Sequence, residues 1–218
     1  RAAGLDPDRP PQTIAELNDM NRRVTVVGIQ RNGRTLQLRY ADLTPEEKAA
    51  RQFSLVRDGH LPNEPGWYRD MWGYWFGGEL YDGERRILAA QPGNVAALEW
   101  LRGVVELYGV HNVREFQGSF MNQVATPQNA FFTGAVAMEL QGPWMKNFIE
   151  NFAPTLDWDV APFPAAEGVG NGSPVTIVES DVLVIPRGAR HPREAFEFIR
   201  YVQRREVGEK LALGQRKF

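Results

Sequence analysis

Between Trp67 and Phe76 six of ten residues are aromatic: Trp67, Tyr68, Trp72, Tyr74, Trp75 and Phe76. A helix turns by about 100° per residue. On a helix, therefore, Tyr68, Trp72, Trp75 and Phe76 share one face while Trp67 and Tyr74 point well away from it. One buried stripe cannot hide that whole arc. Flat rings with a polar edge suit the apolar faces of sugar rings, and they suit a partner protein as well. A tryptophan-rich core helix is the competing reading. Other chemistries find less support. His60, His111 and His191 are isolated, none at metal-ligand spacing, and each reads as a surface or loop histidine. There is no Gly-x-Ser-x-Gly elbow. Asp157 and Asp159 flank Trp158, and Glu179 and Asp181 flank Ser180. Such acid pairs do glycosidase chemistry when roughly 5–10 Å apart, but they are also ordinary on surfaces. Gly168-Val169-Gly170-Asn171-Gly172-Ser173 is glycine-rich, yet it lacks the Lys of a phosphate loop and precedes a strand rather than a helix. It reads as a hinge or surface loop. No catalytic residue, metal or cofactor follows from these patterns.

The 218 residues are enough for one large domain or two small ones, and 43% are hydrophobic, enough for a sizeable core. A net charge of −2 leaves no electrostatic footprint for nucleic acid. The absence of cysteine removes disulfides, thiolate metal sites and cysteine nucleophiles together. No apolar run approaches the roughly 18–20 residues of a membrane span, and no signal-peptide pattern is present. The chain starts at Arg1 without a Met, which reads as a processed protein or a piece of one.

The elements that must position the aromatic segment are read as follows. Thr13 caps a helix over 14–23, with Glu16 completing a capping box. Residues 24–29 and 36–40 are short strands around a turn at Asn32-Gly33. Thr44-Pro45-Glu46-Glu47 starts a second helix, and 53–56 is a short strand. Gly77-Gly78 ends the aromatic segment and Tyr81-Asp82-Gly83-Glu84 turns the chain. Asn94 opens an amphipathic helix with Val95, Leu98, Leu101, Val105 and Tyr108 at helical spacing. A short helix over 127–133 precedes a buried strand over 134–140. Gly142-Pro143-Trp144 begins another helix, 158–161 is a short strand, and 175–185 holds strand-like runs broken by Glu179-Ser180-Asp181. Residues 192–204 form a helix with Ala195, Phe198, Ile199 and Val202 on one side. Interleaved helices and short strands give an α/β class, with no internal repeat.

Five segments, in order, resemble the extracytoplasmic solute-binding proteins of bacterial ABC importers, in the sugar-binding family that includes maltose-binding protein. Leu5-Asp6-Pro7 with Pro10-Pro11-Gln12-Thr13-Ile14-Ala15-Glu16-Leu17 is similar to the family's D-P-x-x-P-P-x-T-W-x-E-L run, with Ile14 in place of Trp. Leu61-Pro62-Asn63-Glu64-Pro65-Gly66-Trp67-Tyr68 and Phe76-Gly77-Gly78-Glu79-Leu80 resemble its binding region. Val95-Ala96-Ala97-Leu98-Glu99-Trp100-Leu101 looks like the helix that follows. The run from Phe131 through Gly134-Ala135-Val136-Ala137-Met138 to Gly142-Pro143-Trp144 is similar to F-x-x-G-K-x-A-M-x-x-x-G-x-W, with Ala135 in place of Lys. Ile185-Pro186 with Pro192, Ala195, Phe198 and Ile199 resembles the late I-P-x-x-x-x-x-P-x-x-A-x-x-F-I strand and helix.

The resemblance implies a periplasmic-binding-protein-like (type II) lobe, helices packed on a mixed sheet. Residues 1–175 would be the second, C-terminal lobe. Residues 176–218 would be the hinge-crossing strand and helices that return towards a first lobe, leaving Val182, Val184, Phe198 and Ile199 partly exposed or repacked where that lobe is absent. It implies a receptor that closes on a solute and is read by membrane permease subunits, monomeric when complete, and extracytoplasmic, in the periplasm or lipid-anchored at the cell surface. In relatives the Trp at the position of Trp144 stacks on a sugar ring; an ordinary core Trp is the alternative. Trp67, Tyr68, Trp72 and Trp75 are the pool from which two or three would touch ligand, the rest being core. Glu64 and Gln141 could bond sugar hydroxyls. Glu179, Ser180 and Asp181 are strand-end turn residues or ligand contacts. The aromatics favour a disaccharide or oligosaccharide; relatives also bind polyamines and glycerol phosphates. A carbohydrate-active enzyme using an acid pair, and a protein-interaction module using the aromatic patch, are the competing functions.

Overall fold

The computed structural model describes residues 3–62, 68, 70–178 and 182–215. The chain forms two compact units, Arg1–Leu140 with Thr155–Thr176, and Gln141–Pro154 with Ile177–Phe218. The first opens on helix α1 (Ile14–Val24), where the Thr13 side chain accepts from Glu16 N–H as the sequence predicts. The return bond differs: Glu16 Oε2 accepts from Gln12 N–H at 2.7 Å rather than from Thr13, and Arg9 holds its other oxygen at 3.0 Å. Strands β1 (Val26–Arg31) and β2 (Arg34–Arg39) form the expected hairpin. Asn32 and Gly33, with φ of 51° and 74°, supply the paired positive φ of a tight turn matched to strand twist. Helix α2 (Pro45–Ala50) carries a complete Thr44–Glu47 capping box.

Strand β3 (Phe53–His60) runs four residues beyond the expected Val56. The sheet order is β2-β1-β3-β4, antiparallel through β3, with β4 (Val136–Met138) added parallel to β3. It is a mixed sheet, as expected. A bulge sets the phase of β3: Val26 pairs Arg57 while Val27 pairs Leu55, so Val56 is the extra residue. Phe53 and Leu55 face inward before it, Val56 and Arg57 both face out, and Asp58 and His60 face inward after it. This phase reversal buries His60, which corrects the expectation of a surface or loop histidine; His111 and His191 are exposed.

Helix α3 (Pro92–Tyr108) begins two residues before Asn94, and its buried positions are Asn94, Ala97, Leu101, Val104 and Tyr108. Val95 and Leu98, expected inside, are exposed. The helix is rotated because Asn94 faces inward: its Nδ2 donates to Glu79 O and Leu88 O, each at 2.8 Å. Helix α4 (Val110–Gly118) was not expected, and it buries Val113 and Phe116. Residues 127–133 form turns instead of a helix. Asn129 Oδ1 accepts from Phe131 and Phe132 N–H and its Nδ2 donates to Val124 O, a local side-chain pattern that competes with helical bonding. Contrary to the expectation, residues 158–161 form no strand, and neither do the described parts of 175–185. The core gathers Val27, Ile29, Tyr40, Phe53, Leu55, Leu61, Tyr108, Val113, Phe116 and Val136.

In the second unit, helix α5 (Met145–Phe152) buries Met145 and Ile149. Helix α6 (Pro192–Val202) half-buries Ala195, Ile199 and Val202 and exposes Phe196, Phe198 and Tyr201. Helix α7 (Arg205–Gln215) follows, and its Gly214 carbonyl accepts from Asn147 Nδ2 at 3.4 Å. Val182, Leu183 and Val184 are also exposed.

Candidate functional site

Strand β3 ends at His60 and delivers the chain, through Leu61 and Pro62, to the aromatic segment. Trp72–Phe76 there forms a 3-10 helix, which closes at Gly77 (φ 74°). It docks on the start of α3 at backbone distance. A Cβ on Gly73 would lie 1.7 Å from Asn94 Oδ1, and one on Gly93 would lie 2.4 Å from Gly78 N, so only glycines allow the contact. The packing brings rings together. Trp72 meets Trp75, Trp100 and Phe163 at centroid distances of 5.4, 5.3 and 5.4 Å, and Phe76 meets Trp100 at 5.6 Å. Tyr68 meets Trp75 edge-on at 6.4 Å. All lie in the range where aromatic pairs attract beyond simple burial.

Trp72 and Trp75 are each 2% exposed, so these two members of the aromatic pool are interior and form the backing of the segment. Tyr68 is half-buried and Tyr74 is exposed. The short 3-10 helix thus splits its rings between core and surface, as the arc of aromatics requires. The segment 155–176 covers the other side. Phe163 packs on Trp75 at 5.3 Å and on His60 at 5.7 Å, Ala166 N–H donates to Trp75 O at 2.8 Å, and Trp75 Nε1–H donates to Val175 O at 3.1 Å.

A buried polar network lies at the root of the segment. Thr25 Oγ1 lies 3.0 Å from the Tyr108 hydroxyl, donates to Asn21 O at 2.8 Å and accepts from Gly59 N–H at 3.0 Å. Asn21 Oδ1 accepts from His60 N–H at 2.9 Å and Asn21 Nδ2 donates to His60 O at 3.2 Å. Asp58 Oδ1 is within 3.3 Å of Thr25 Oγ1 and of His60 N, while Asp58 Oδ2 has no hydrogen-bond partner among the described residues. Burial pushes the Asp58 carboxyl up to about 6, against the pull of those hydrogen bonds. Burial holds the His60 imidazole down at about 4, and it raises the Tyr108 hydroxyl, helped by the Asp58 charge. At neutral pH His60 is an uncharged ring among rings.

In the second unit, Trp144 Nε1–H donates to Gln141 Oε1 at 3.1 Å, and its half-buried ring lies across Gly142, where a Cβ would stand 2.1 Å from the indole. The structure therefore brings Tyr68, Trp72 and Trp75 together in one unit and Gln141 with Trp144 in the other. Glu64, Trp67, Glu179, Ser180 and Asp181 lie outside the described residues. Trp100, Phe163 and Asn94 complete the aromatic site without having been singled out as site residues. The Pro162-Phe163-Pro164 run was the available signal for Phe163. Among the described residues no cluster of His, Cys, Asp and Glu could hold a metal ion, and no helix is long and apolar enough to cross a membrane.

The sequence profile of the bacterial extracellular solute-binding protein family matches residues 2–209, and this chain belongs to that family. No curated protein matches it. Two solved structures are similar over 97% of the chain. CpMnBP1 with mannobiose bound is 25% identical with a TM-score of 0.70. CpMnBP1 with mannotriose bound is 24% identical with a TM-score of 0.67. This chain spans about half of each, 47% and 48%. The fold is accordingly α/β and periplasmic-binding-protein-like, helices packed on a mixed sheet.

Proposed function

We propose that this chain is the sugar-contacting half of a solute-binding receptor of an ABC importer, taking up a disaccharide or oligosaccharide and handing it to membrane permease subunits. The likeness along 97% of the chain to a protein that holds mannobiose carries the reading, and makes a mannose disaccharide the first candidate solute. Trp144, Trp67 and Tyr68 are the stacking rings, and within the first unit Trp75, packed on Trp72, backs Tyr68. Glu64, Gln141, Glu179, Ser180 and Asp181 bond hydroxyls. Residues 1–175 act as the second lobe and 176–218 as the return towards a first lobe. The exposure of Val182, Val184 and Phe198 supports a covering partner there. The receptor works outside the cytoplasm, in the periplasm or lipid-anchored, as a monomer, and binds without turnover.

The test is calorimetric titration of this chain and of Trp144→Ala with mannobiose, mannotriose and maltose, with the sugar recovered and analysed. Saturable binding to the wild type, lost in the variant, with the sugar intact, is the expected result. Cleaved sugar would move the protein to the enzyme reading. No binding of any of the three would overturn the sugar-contacting role of this half.

A further inference from the structure

Trp75 is held at three points within the first unit, and those points lead in one direction. Its ring meets Tyr68 edge-on, at 6.4 Å and 89°. Its carbonyl accepts from Ala166 N–H at 2.8 Å. Its indole N–H donates to Val175 O at 3.1 Å. Val175 stands one residue before Thr176, the last residue of the unit, and Ile177 begins the other. The surrounding chain adds to the clamp. Phe163 lies on the Trp75 ring, and Val169 sits 3.3 Å from where a Cβ on Gly77 would be.

A buried indole N–H needs an acceptor, but core filling alone does not require that acceptor to be the backbone at the exit from the unit. We propose that Trp75 is a positioning residue that ties the Tyr68 ring to the chain at Val175, so that displacement of Tyr68 is passed to the last two residues of the first unit, Val175 and Thr176. That bound sugar is what displaces Tyr68 rests on the proposed receptor role; the tie itself does not. A rigid ring bonded at its far edge to one carbonyl transmits a shift of its near edge, because a packed interior deforms little. A tryptophan that only fills space would leave Val175 and Thr176 indifferent to Tyr68.

Hydrogen exchange on the whole chain tests the tie, with Trp75→Phe keeping a ring but removing the N–H. Tyr68→Ala should speed exchange of the Val175 and Thr176 amides by about two- to tenfold, the loss expected for one weakened hydrogen bond. In the Trp75→Phe background, where the bond to Val175 is already gone, Tyr68→Ala should add nothing. No change at Val175 and Thr176, or an equal change in both backgrounds, overturns the proposal. Amides of Leu101 to Val105 report whether each variant is folded. The Trp75 indole N–H, followed by nitrogen-15 NMR, repeats the comparison with Trp75 intact. Tyr68→Ala should speed its exchange, and an unchanged rate again overturns the tie. Added mannobiose, at a concentration that saturates each protein, should slow exchange at 175–176 in the wild type but not in Trp75→Phe. Equal protection in both would overturn the tie. A wild type that ignores mannobiose would sink the sugar reading and leave the Tyr68→Ala comparison to decide the tie alone.

Discussion

Replacing Asp58 by Asn should change how stability depends on pH as well as stability itself. Two buried groups on β3 titrate in opposite senses. The Asp58 carboxyl is raised from 3.8 to about 6, so the stability it contributes is fully present below 3.8 and lost as pH rises through 6. The His60 imidazole is lowered from 6.5 to about 4, so its contribution is present above 6.5 and lost as pH falls through 4. A tenfold change in proton affinity is worth about 1.4 kcal/mol, so each group contributes about 3 kcal/mol over its window. The windows overlap between pH 4 and 6, and there the two slopes nearly cancel in the wild type. Asn at 58 removes one of them. The buried amide NH₂ that replaces Oδ2 would find no acceptor, a constant cost of about 1–3 kcal/mol. The stability difference between variant and wild type should therefore move by about 2–3 kcal/mol in favour of the variant from about pH 4 to pH 7.5. His60→Gln should give the mirror image, gaining on the wild type towards acid pH. Urea unfolding at about pH 4, 5, 6 and 7.5 reads both. A difference for Asp58→Asn that stays constant to within about 0.5 kcal/mol across that range, against the resolution such measurements allow, would refute the claim that this carboxyl is buried and uncompensated.

Gly59→Ala should destabilise by about 1–3 kcal/mol in the same assay, because its Cβ would stand 2.6 Å from the Asn21 carbonyl, and backbone cannot swing aside. Tyr108→Phe removes one hydroxyl from the Thr25–Asn21 network and should cost about 1–2 kcal/mol; a loss below about 0.3 kcal/mol would mean that the hydroxyl contributes nothing there. Gly142→Ala should leave stability nearly unchanged, since the atom it meets is the movable Trp144 ring. It should displace that indole from Gln141 and shift the tryptophan emission. An unchanged spectrum would show that the ring does not rest on Gly142.

Local chemistry was legible where a residue's own side chain decides its backbone. Thr13, Thr44 and Asn32-Gly33 announced the helix starts and the hairpin because caps and paired positive φ have few suppliers. What stayed hidden was set by partners distant in sequence. The burial of His60 depends on a bulge that is visible only when β1 is laid beside β3. The face of α3 departs from its apolar spacing because Asn94, polar by composition, spends its amide on two carbonyls and turns inward, leaving Val95 and Leu98 outside. The aromatic segment stood out in the sequence as a candidate site, but which rings are floor and which are surface was decided by Trp100 from α3 and Phe163 from the returning chain. Neither can be placed from the spacing of residues 67–76.

The extra residue at Val56 also gives β3 a tolerance to loss of length that a regular strand lacks. A strand alternates its sides with a period of two, so dropping one residue from a regular strand turns everything beyond it to the opposite face. Here Val56 and Arg57 both face out, and removing Val56 restores plain alternation from Phe53 to His60. Asp58 and His60 would still point inward, and the chain would still leave for the aromatic segment from the same side of the sheet. Adding a residue is the harsher change, because the strand has already spent its one irregularity and would need a second bulge to keep that side. In evolutionary terms, a one-codon deletion at this position is a small geometric step and a one-codon insertion a large one. Chimeras that join this strand to one of regular length should therefore omit Val56 and keep every residue after it, so that the donor's following segment sets out in the direction that this strand gives its own.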